Sequence, residues 1–299
     1  MNSPITLDAL KVLDAIERKK SFAAAADALF RVPSAVSYTV NKLEDDLGVT
    51  LFDRSKRKAE LTPVGKMIID QGRLILKATD ELTHMAQQSA NGWESELRIC
   101  IDSVLLFEPI YTLIGQFQQE HRWINIRVTE EVLGGTWDSL IADSSDLIIG
   151  ATGEPYNSDF VVHTLGTIDF VFAVAKNHPL VDESQPISDT AIKQYSSIVV
   201  ADSSRNLPTR SVGLLDGLSR ITVPTMQKKI EAHLLGVGVG FLPIHRIQDE
   251  LESGELVPLQ LASYEFRSNE LSMAWCKDNQ GKALAWFIEK VQEISNKLI

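Results

Sequence analysis

The hydrophobic pattern of this chain changes once, at Asn91-Gly92, and that change excludes a single uniform fold. Before it, apolar residues recur at helical spacing, whereas after it short apolar runs typical of strands alternate with helical segments. Asn-Gly is a dipeptide that breaks helices and forms turns. The sequence therefore predicts a helical part over residues 1–90 and an α/β part over residues 91–299.

The first 62 residues predict three short helices. Ser21 is a good N-cap for an alanine-rich second helix, Pro33 suits the first position of a third, and Gly48 suits its left-handed C-cap. Apolar residues of the third helix fall on one face, and polar residues fall on the other. Two short helices followed by such a third helix predict a helix-turn-helix.

A basic turn follows the third helix. Four of the five residues from Arg54 to Lys58 are cationic, and short segments typical of strands precede and follow them. This pattern predicts a wing whose tip carries positive charge toward phosphate.

Thr62-Pro63 then opens a long helix that reaches about Ser89. Its apolar stripe comprises Val64, Ile68, Ile75, Leu82 and Ala86. A small neighbouring domain cannot cover a stripe of this length, so we expect it to pair with the same helix of another chain.

The net charge of −11 argues at first against a nucleic-acid partner, because the phosphate backbone repels an acidic surface. The charge is unevenly distributed: residues 1–62 carry a net charge of +1, and the remainder carries −12. Local clusters decide phosphate contacts, so DNA remains a possible partner of the head. Two cysteines, no apolar run of about 18 residues and no basic-then-apolar start predict a cytoplasmic protein without a membrane partner.

Groups of residues at fixed spacing add a more specific signal. They are Ser21-Phe22, Ala24-Ala25, Ala35-Val36-Ser37, Lys42-Leu43-Glu44, Leu47-Gly48, Leu51-Phe52-Asp53-Arg54, Leu61-Thr62-Pro63-Val64-Gly65, His178-Pro179-Leu180 and the run from Gly236 to Pro243. On these motifs the chain resembles the LysR-type transcriptional regulators along essentially its whole length. The tract from Arg31 to Thr39 is most similar to the YhaJ branch of that family.

The resemblance implies the architecture. It implies a winged helix-turn-helix at 1–62, a linker and dimerisation helix at 63–90, and a two-lobed α/β effector domain at 91–299 that is similar to periplasmic binding proteins. Lobe one would be 94–162 with 267–299, and lobe two would be 163–266. A small organic effector would bind between the lobes of a homodimer or homotetramer. The sequence departs from the family pattern at Val32, Pro33 and Tyr38, which puts the base preference in doubt.

Candidate DNA contacts follow from the chemistry of grooves and phosphates. Hydroxyl, amide and amine groups on the third helix suit base edges, and arginines and lysines beside it suit phosphate. The candidates are Arg31, Pro33, Ser34, Ser37, Tyr38, Asn41, Lys42, Arg54, Lys56 and Arg57. The alternative is an ordinary solvated helix face beside a charged turn.

Candidate effector contacts follow the strands of the second part. Ligands of open α/β sheets bind at loops beyond the carboxyl ends of strands, where helix N-termini also lie. The candidates are Asp102, Ser103, Leu133, Gly134, Thr136, Ser203, Ser204 and Thr225. Each hydroxyl could instead be a simple N-cap. Trp137 fits a lobe core better than a pocket wall.

Other chemistry finds little support. Cys100 and Cys276 fall in predicted strands without adjacent basic clusters, so we expect buried apolar residues rather than a redox switch. The six histidines lack metal-ligand spacing, and no cofactor is expected. An enzyme on an α/β scaffold would need a P-loop or a Gly-x-Ser-x-Gly elbow, and neither occurs. A transport-type binding protein is the remaining alternative, against which the helical head and the absence of a signal peptide both count.

Overall fold

The chain divides into two units, Met1–Ala90 and Asn91–Ile299. In the computed structural model, the described residues are 3–53, 60–153, 158–210, 219–263 and 267–299. The elements of the first unit are α1 (Leu7–Lys19), α2 (Phe22–Ala28), α3 (Pro33–Leu47), β1 (Phe52–Asp53), β2 (Glu60–Leu61) and α4 (Pro63–Ala90).

Local signals set the bounds of these helices. The Ser21 hydroxyl caps α2 by accepting the Ala24 N–H at 3.3 Å, and Pro33 occupies the first position of α3. Gly48 ends α3 in the left-handed region, at φ +67°. These three features agree with the sequence prediction.

The core of the first unit forms where α1, α2 and α3 meet. Val36, Val40 and Leu43 are buried on one face of α3, and they pack with the two strands and the start of α4. Ala25 and Ala26 are fully buried, because small side chains let α2 approach its neighbours closely.

The second unit alternates strands and helices. Its elements are β3 (Glu96–Asp102), α5 (Glu108–Glu120), β4 (Asn125–Glu131), α6 (Gly134–Ile141), β5 (Leu147–Thr152), β6 (Phe160–Ala175), α7 (Asp189–Ile192), β7 (Ser197–Val200), β8 (Arg220–Val223), α8 (Met226–Leu234), β9 (Gly240–Pro243), α9 (Gln248–Glu252), β10 (Leu256–Pro258), β11 (Arg267–Cys276) and α10 (Lys282–Glu293). Short 3₁₀ turns cover Pro179–Asp182, Ile244–Arg246 and Ser295–Lys297.

The principal sheet has the order β10-β6-β11-β5-β3-β4, with β9 also paired to β6. The parallel pairing expected from the alternation holds for β3 with β4 and β5, and for β7 with β8. The pairs made by β6 and β11 are antiparallel. The sheet is therefore mixed.

The strand β6 is continuous. Its sequence contains two apolar segments, Phe160–Leu165 and Phe170–Ala175, which predict two separate strands, but β6 is one strand of 16 residues. Its pairing with β11 shifts register between Leu271 and Ser272, next to Gly166 at φ +148°. The unpaired residue at this shift is Leu165, so the strand continues through a bulge rather than ending in a turn.

The continuous β6 connects two lobes. Its first part pairs with β11, and its end pairs with β9 and β10. The first lobe contains the β4-β3-β5 sheet, and the second contains β7, β8 and α8. Trp137 is fully buried in the first lobe and donates its ring N–H to the Thr152 carbonyl at 3.0 Å, as expected of a core residue.

Candidate functional site

The outward face of α3 is polar and exposed. Ser34, Tyr38 and Lys42 are exposed, and Ser37 is half-buried, while Val36 and Val40 face the core. Pro33 and Asn41 are also exposed. Tyr38 is 67% exposed, so its ring is available to a partner rather than part of the core. The helix therefore separates packing residues from a continuous polar surface.

The turn before α3 contains an exposed aromatic that sequence reasoning missed. Phe30 is 97% exposed and has φ +57°, and Val32 is 62% exposed. A large side chain in the left-handed region is uncommon. The signal was available, since Phe30 falls in the connection rather than on the apolar stripe of either helix.

Arg31 is fixed by an ion pair. Its guanidinium donates to both carboxylate oxygens of Asp8, at 2.9 and 2.5 Å. The hydrogen bonds from Arg31 hold the pKa of Asp8 below its usual value. Arg31 was predicted to contact phosphate, and in the free protein it contacts a carboxylate on α1 instead.

The wing is anchored to α3. One oxygen of Glu44 accepts the N–H groups of Leu51 at 2.6 Å and Phe52 at 3.1 Å. β1 and β2 then pair antiparallel, Phe52 with Leu61. The predicted phosphate contacts Arg54, Lys56 and Arg57 lie outside the described residues.

A cavity in the second unit lies between the two lobes. Its volume is about 50 Å³. Its walls come from the ends of β3 and β4 on one side and from β6, β9 and α8 on the other. The lining is mostly apolar, with polar contributions from Asp102, Ser103, Thr152, Lys229 and Asn269.

Asp102 and Ser103 hold the loops of the cavity. Asp102 is buried and accepts the N–H groups of Val104 at 2.9 Å and Leu133 at 2.8 Å. Burial nevertheless raises the pKa of Asp102 to about 7. The Ser103 hydroxyl accepts the N–H of Met226 at 3.3 Å, which links β3 of one lobe to the start of α8 in the other.

Lys229 is a buried cation at this cavity. It is 4% exposed and lies on the inward stripe of α8 with Met226, Ile230 and His233. Burial alone lowers its pKa to about 8. Among the residues that the structure describes, we find no carboxylate within ion-pair distance of its ammonium.

The hydroxyl groups of the other predicted effector residues form hydrogen bonds with the backbone. The Ser203 hydroxyl accepts the Val132 N–H at 2.8 Å and donates to the Val132 carbonyl at 3.2 Å. The remaining contacts are Thr136 to the Leu133 carbonyl, Ser204 to the Leu207 carbonyl, and Thr225 to the Lys228 N–H. Gly134 begins α6, where a Cβ would approach the Asp202 carboxylate at 3.0 Å. Of the predicted set, Asp102, Ser103 and Leu133 line the cavity.

Sequence reasoning missed Lys229, Phe170, Phe241 and Asn269, which also line the cavity. A signal existed for Lys229, because it falls on the apolar stripe of a helix where a lysine is unexpected. No such signal exists for Phe170 or Asn269, because tertiary pairing of β6 with β11 brings them together.

The described residues contain no group of three or more His, Cys, Asp or Glu side chains placed to hold a metal ion. No helix among them has the length and apolar composition of a membrane span. Cys100 is buried, and burial raises the pKa of its thiol to about 12. Cys276 is half-buried.

Comparison with protein-family models finds two matches. Residues 7–66 match the bacterial regulatory helix-turn-helix protein, lysR family, and residues 90–295 match the LysR substrate binding domain. Together the two matches span almost the entire chain.

Comparison with individual proteins agrees. The uncharacterized HTH-type transcriptional regulator YeeY of Escherichia coli K12 is 38% identical, with 95% of this chain and 92% of that protein covered. The probable HTH-type transcriptional regulator YhaJ of the same strain is 37% identical, with coverage of 98% and 97%. The solved Corynebacterium glutamicum OxyR C206 mutant has a TM-score of 0.56 at 17% identity, with coverage of 99% and 94%. The structural likeness supports the fold.

Proposed function

Because this chain belongs to the LysR family of DNA-binding transcriptional regulators, we propose that α3 reads the DNA major groove while the cavity between the lobes binds the effector. The family has a helix-turn-helix and a domain that binds a small molecule, and both are present here.

DNA contact is proposed for the exposed face of α3. Tyr38, Asn41 and Lys42 occupy the side opposite the core, where an inserted helix meets base edges. Ser34 and Ser37 near the helix start, beside Pro33, suit base-edge or phosphate oxygens. Arg31, with Arg54, Lys56 and Arg57 of the wing, would contact phosphates, and for Arg31 this requires exchange of Asp8 for a phosphate oxygen.

Effector binding is proposed for the cavity that Asp102, Ser103 and Leu133 line. The observation that carries this proposal is that its walls come from both lobes, which hydrogen bonds join at Ser103–Met226 and at Val132–Ser203. A ligand there contacts both lobes at once, so it can favour one arrangement of the lobes over another. A ligand with equal affinity for both arrangements would shift nothing.

An assembly of two or four chains is proposed from α4. Leu74 and Leu82 are 61% and 66% exposed, and Ile75 is 49% exposed, so this helix leaves apolar surface uncovered within its own chain. A second copy of the same helix is the simplest cover. Such a homodimer, or a homotetramer of two dimers, presents two or more copies of α3 to one DNA site.

We expect regulation without catalytic turnover, in the cytoplasm where the DNA partner lies. The relatives of this chain are transcriptional regulators, which supports a regulatory role. Incubation of purified protein with a bound ligand, followed by NMR of the ligand over hours, tests this directly: stoichiometric recovery is expected, and steady consumption would contradict it.

The central experiment joins the two sites. DNA flanking the gene is footprinted with full-length protein, with and without a ligand that raises the unfolding temperature of the protein. A ligand-dependent change in footprint or DNA bend is expected. The same footprint in both states would refute the coupling, and no specific footprint would refute the α3 proposal.

A further inference from the structure

Lys229 carries a buried positive charge that no negative charge among the described residues pairs with. The side chain is almost fully buried at a cavity, and burial disfavours its charged form. No described residue places a carboxylate within ion-pair distance of its ammonium. Buried charges in proteins are ordinarily paired.

The position of Lys229 in its helix adds to this requirement. α8 begins at Met226, so Lys229 lies in the first turn, beside the positive end of the helix dipole. A cation is least favoured at that end. The ammonium and the helix start therefore both make this side of the cavity electropositive, so an anionic group of a ligand is favoured there.

The opposite charge dominates the loops at the ends of β3 and β4. Asp102 lines the cavity, and the nearby carboxylates Glu130 and Asp202 raise its pKa further, after the larger effect of burial. A ligand with a second negative charge would meet this acidic wall. One anionic group is thus favoured, and two are not.

The remaining walls are hydrocarbon. Val132, Ile168, Phe170, Val200 and Phe241 line the cavity. These side chains would bury the apolar body of a ligand, whereas they offer no hydrogen bonds to a sugar or another highly hydroxylated molecule.

We propose that Lys229 selects the effector: a small monoanion with an apolar body, such as a monocarboxylate, whose anionic group pairs with the Lys229 ammonium. This inference rests on the proposed effector role of the cavity and names the chemical class that the cavity takes. It assigns specificity chiefly to a single side chain on α8.

The test uses full-length protein and matched probes. Phenylacetate, 3-phenylpropionate and 4-methylpentanoate are compared with their primary amides and with the dianion phenylmalonate, by calorimetry and by thermal shift at constant ionic strength. We expect each carboxylate to bind more tightly than its amide and phenylmalonate to bind more weakly than phenylacetate. Inorganic phosphate and chloride, tested alone, separate a general anion site from one that requires the apolar body.

Two variants locate the effect. Lys229→Met retains an unbranched side chain of similar length in an apolar setting, so the variant is expected to fold. It should lower carboxylate affinity by roughly 10- to 100-fold, the range of a hydrogen bond to a charged group, and leave amide affinity unchanged. The matched control is Lys228→Met, because Lys228 is the exposed neighbour that pairs with Glu231 at 2.7 Å; its carboxylate affinity should equal that of the parent.

Each remaining outcome has one meaning. Equal affinity for carboxylates and amides, or equal losses in both lysine variants, overturns the anion assignment and leaves the effector role intact. Tight binding of phosphate or chloride alone overturns the apolar-body assignment. If no probe of any charge binds, while Phe170→Trp, which reduces the cavity, leaves ligand-dependent footprinting in cell extract unchanged, the effector role of the cavity is overturned as well.

Discussion

The outward face of α3 and the cavity between the lobes both present polar side chains, but in different states. On α3, Tyr38 and Lys42 stand in solvent. In the cavity, Asp102 and Ser103 already accept backbone N–H groups, and Lys229 is buried without a carboxylate among described residues. Solvated side chains can bind a large polar partner without lowering the stability of the fold. A cation buried in a cavity lowers the stability of the free protein, but it favours ligands of opposite charge.

The strongest test of this contrast is the stability cost of Lys229. Its pKa in the folded protein, about 8, lies below the ordinary value of 10.5, so the folded state disfavours its proton. The loss of stability caused by the buried ammonium is complete below pH 8 and disappears as the pH rises to 10.5. Lys229→Met should therefore raise the free energy of unfolding at pH 7 by roughly 3 kcal/mol, because the substitution removes the buried charge.

Urea unfolding of ligand-free protein at pH 7 and at pH 10.5 measures this difference. The advantage of Lys229→Met over the parent should shrink at the higher pH, while Lys228→Met should match the parent within about 0.5 kcal/mol at both. A destabilised Lys229→Met at pH 7 would mean that the ammonium has a partner, and the contrast between the two regions would fail.

The second test asks whether the serines that follow β7 hold the lobes together. Ser203→Ala removes the acceptor of the Val132 N–H and should cost about 2 kcal/mol of unfolding free energy, because a half-buried donor loses its partner. Ser204→Ala is the control, since Ser204 is equally half-buried but makes one bond, of 3.4 Å, to the Leu207 carbonyl. Its cost should stay below about 0.5 kcal/mol. Equal costs would show that the bridge to Val132 contributes nothing.

The same contrast explains what the sequence could predict. The face of α3 is local: Val36 and Val40 fix its inward side, and the polar residues between them must face outward. The cavity is not local, because Phe170 and Asn269 lie about 100 residues apart in sequence and meet through the pairing of β6 with β11. The hydroxyl pattern after strands identified Ser103, which lines the cavity, but could not distinguish it from Ser203, which does not. Lys229 required knowing which face of α8 is buried.

The third test concerns Tyr38 on α3. Tyr38→Ala should lower affinity for specific DNA about tenfold, which corresponds to about 1.4 kcal/mol, and should leave stability nearly unchanged because the ring is solvated in the free protein. The matched control is Tyr111→Ala in the second unit, where the ring is 54% exposed. Gel shifts and thermal unfolding of both variants measure the two effects. A large loss of stability in Tyr38→Ala would show that the ring has a structural role, contrary to its exposure.

The smallest expected effect concerns the ion pair of Arg31 with Asp8. Arg31 is exposed like the residues on α3, but it already has a partner in the free protein, like Asp102 in the cavity. The pair is exposed, so breaking it with Asp8→Asn should leave the free energy of unfolding nearly unchanged. If phosphate replaces Asp8 in the complex, Arg31→Ala should reduce the slope of log affinity against log salt by about 0.9, and Asp8→Asn should leave that slope unchanged while raising affinity slightly. Arg127→Ala is the control, because Arg127 forms an exposed pair with Glu96 at 3.3 Å in the second unit. If Arg31→Ala does not change the slope, Arg31 does not contact phosphate and its pair with Asp8 only stabilises the free protein. The reason is that a guanidinium that contacts phosphate must release a counterion from DNA.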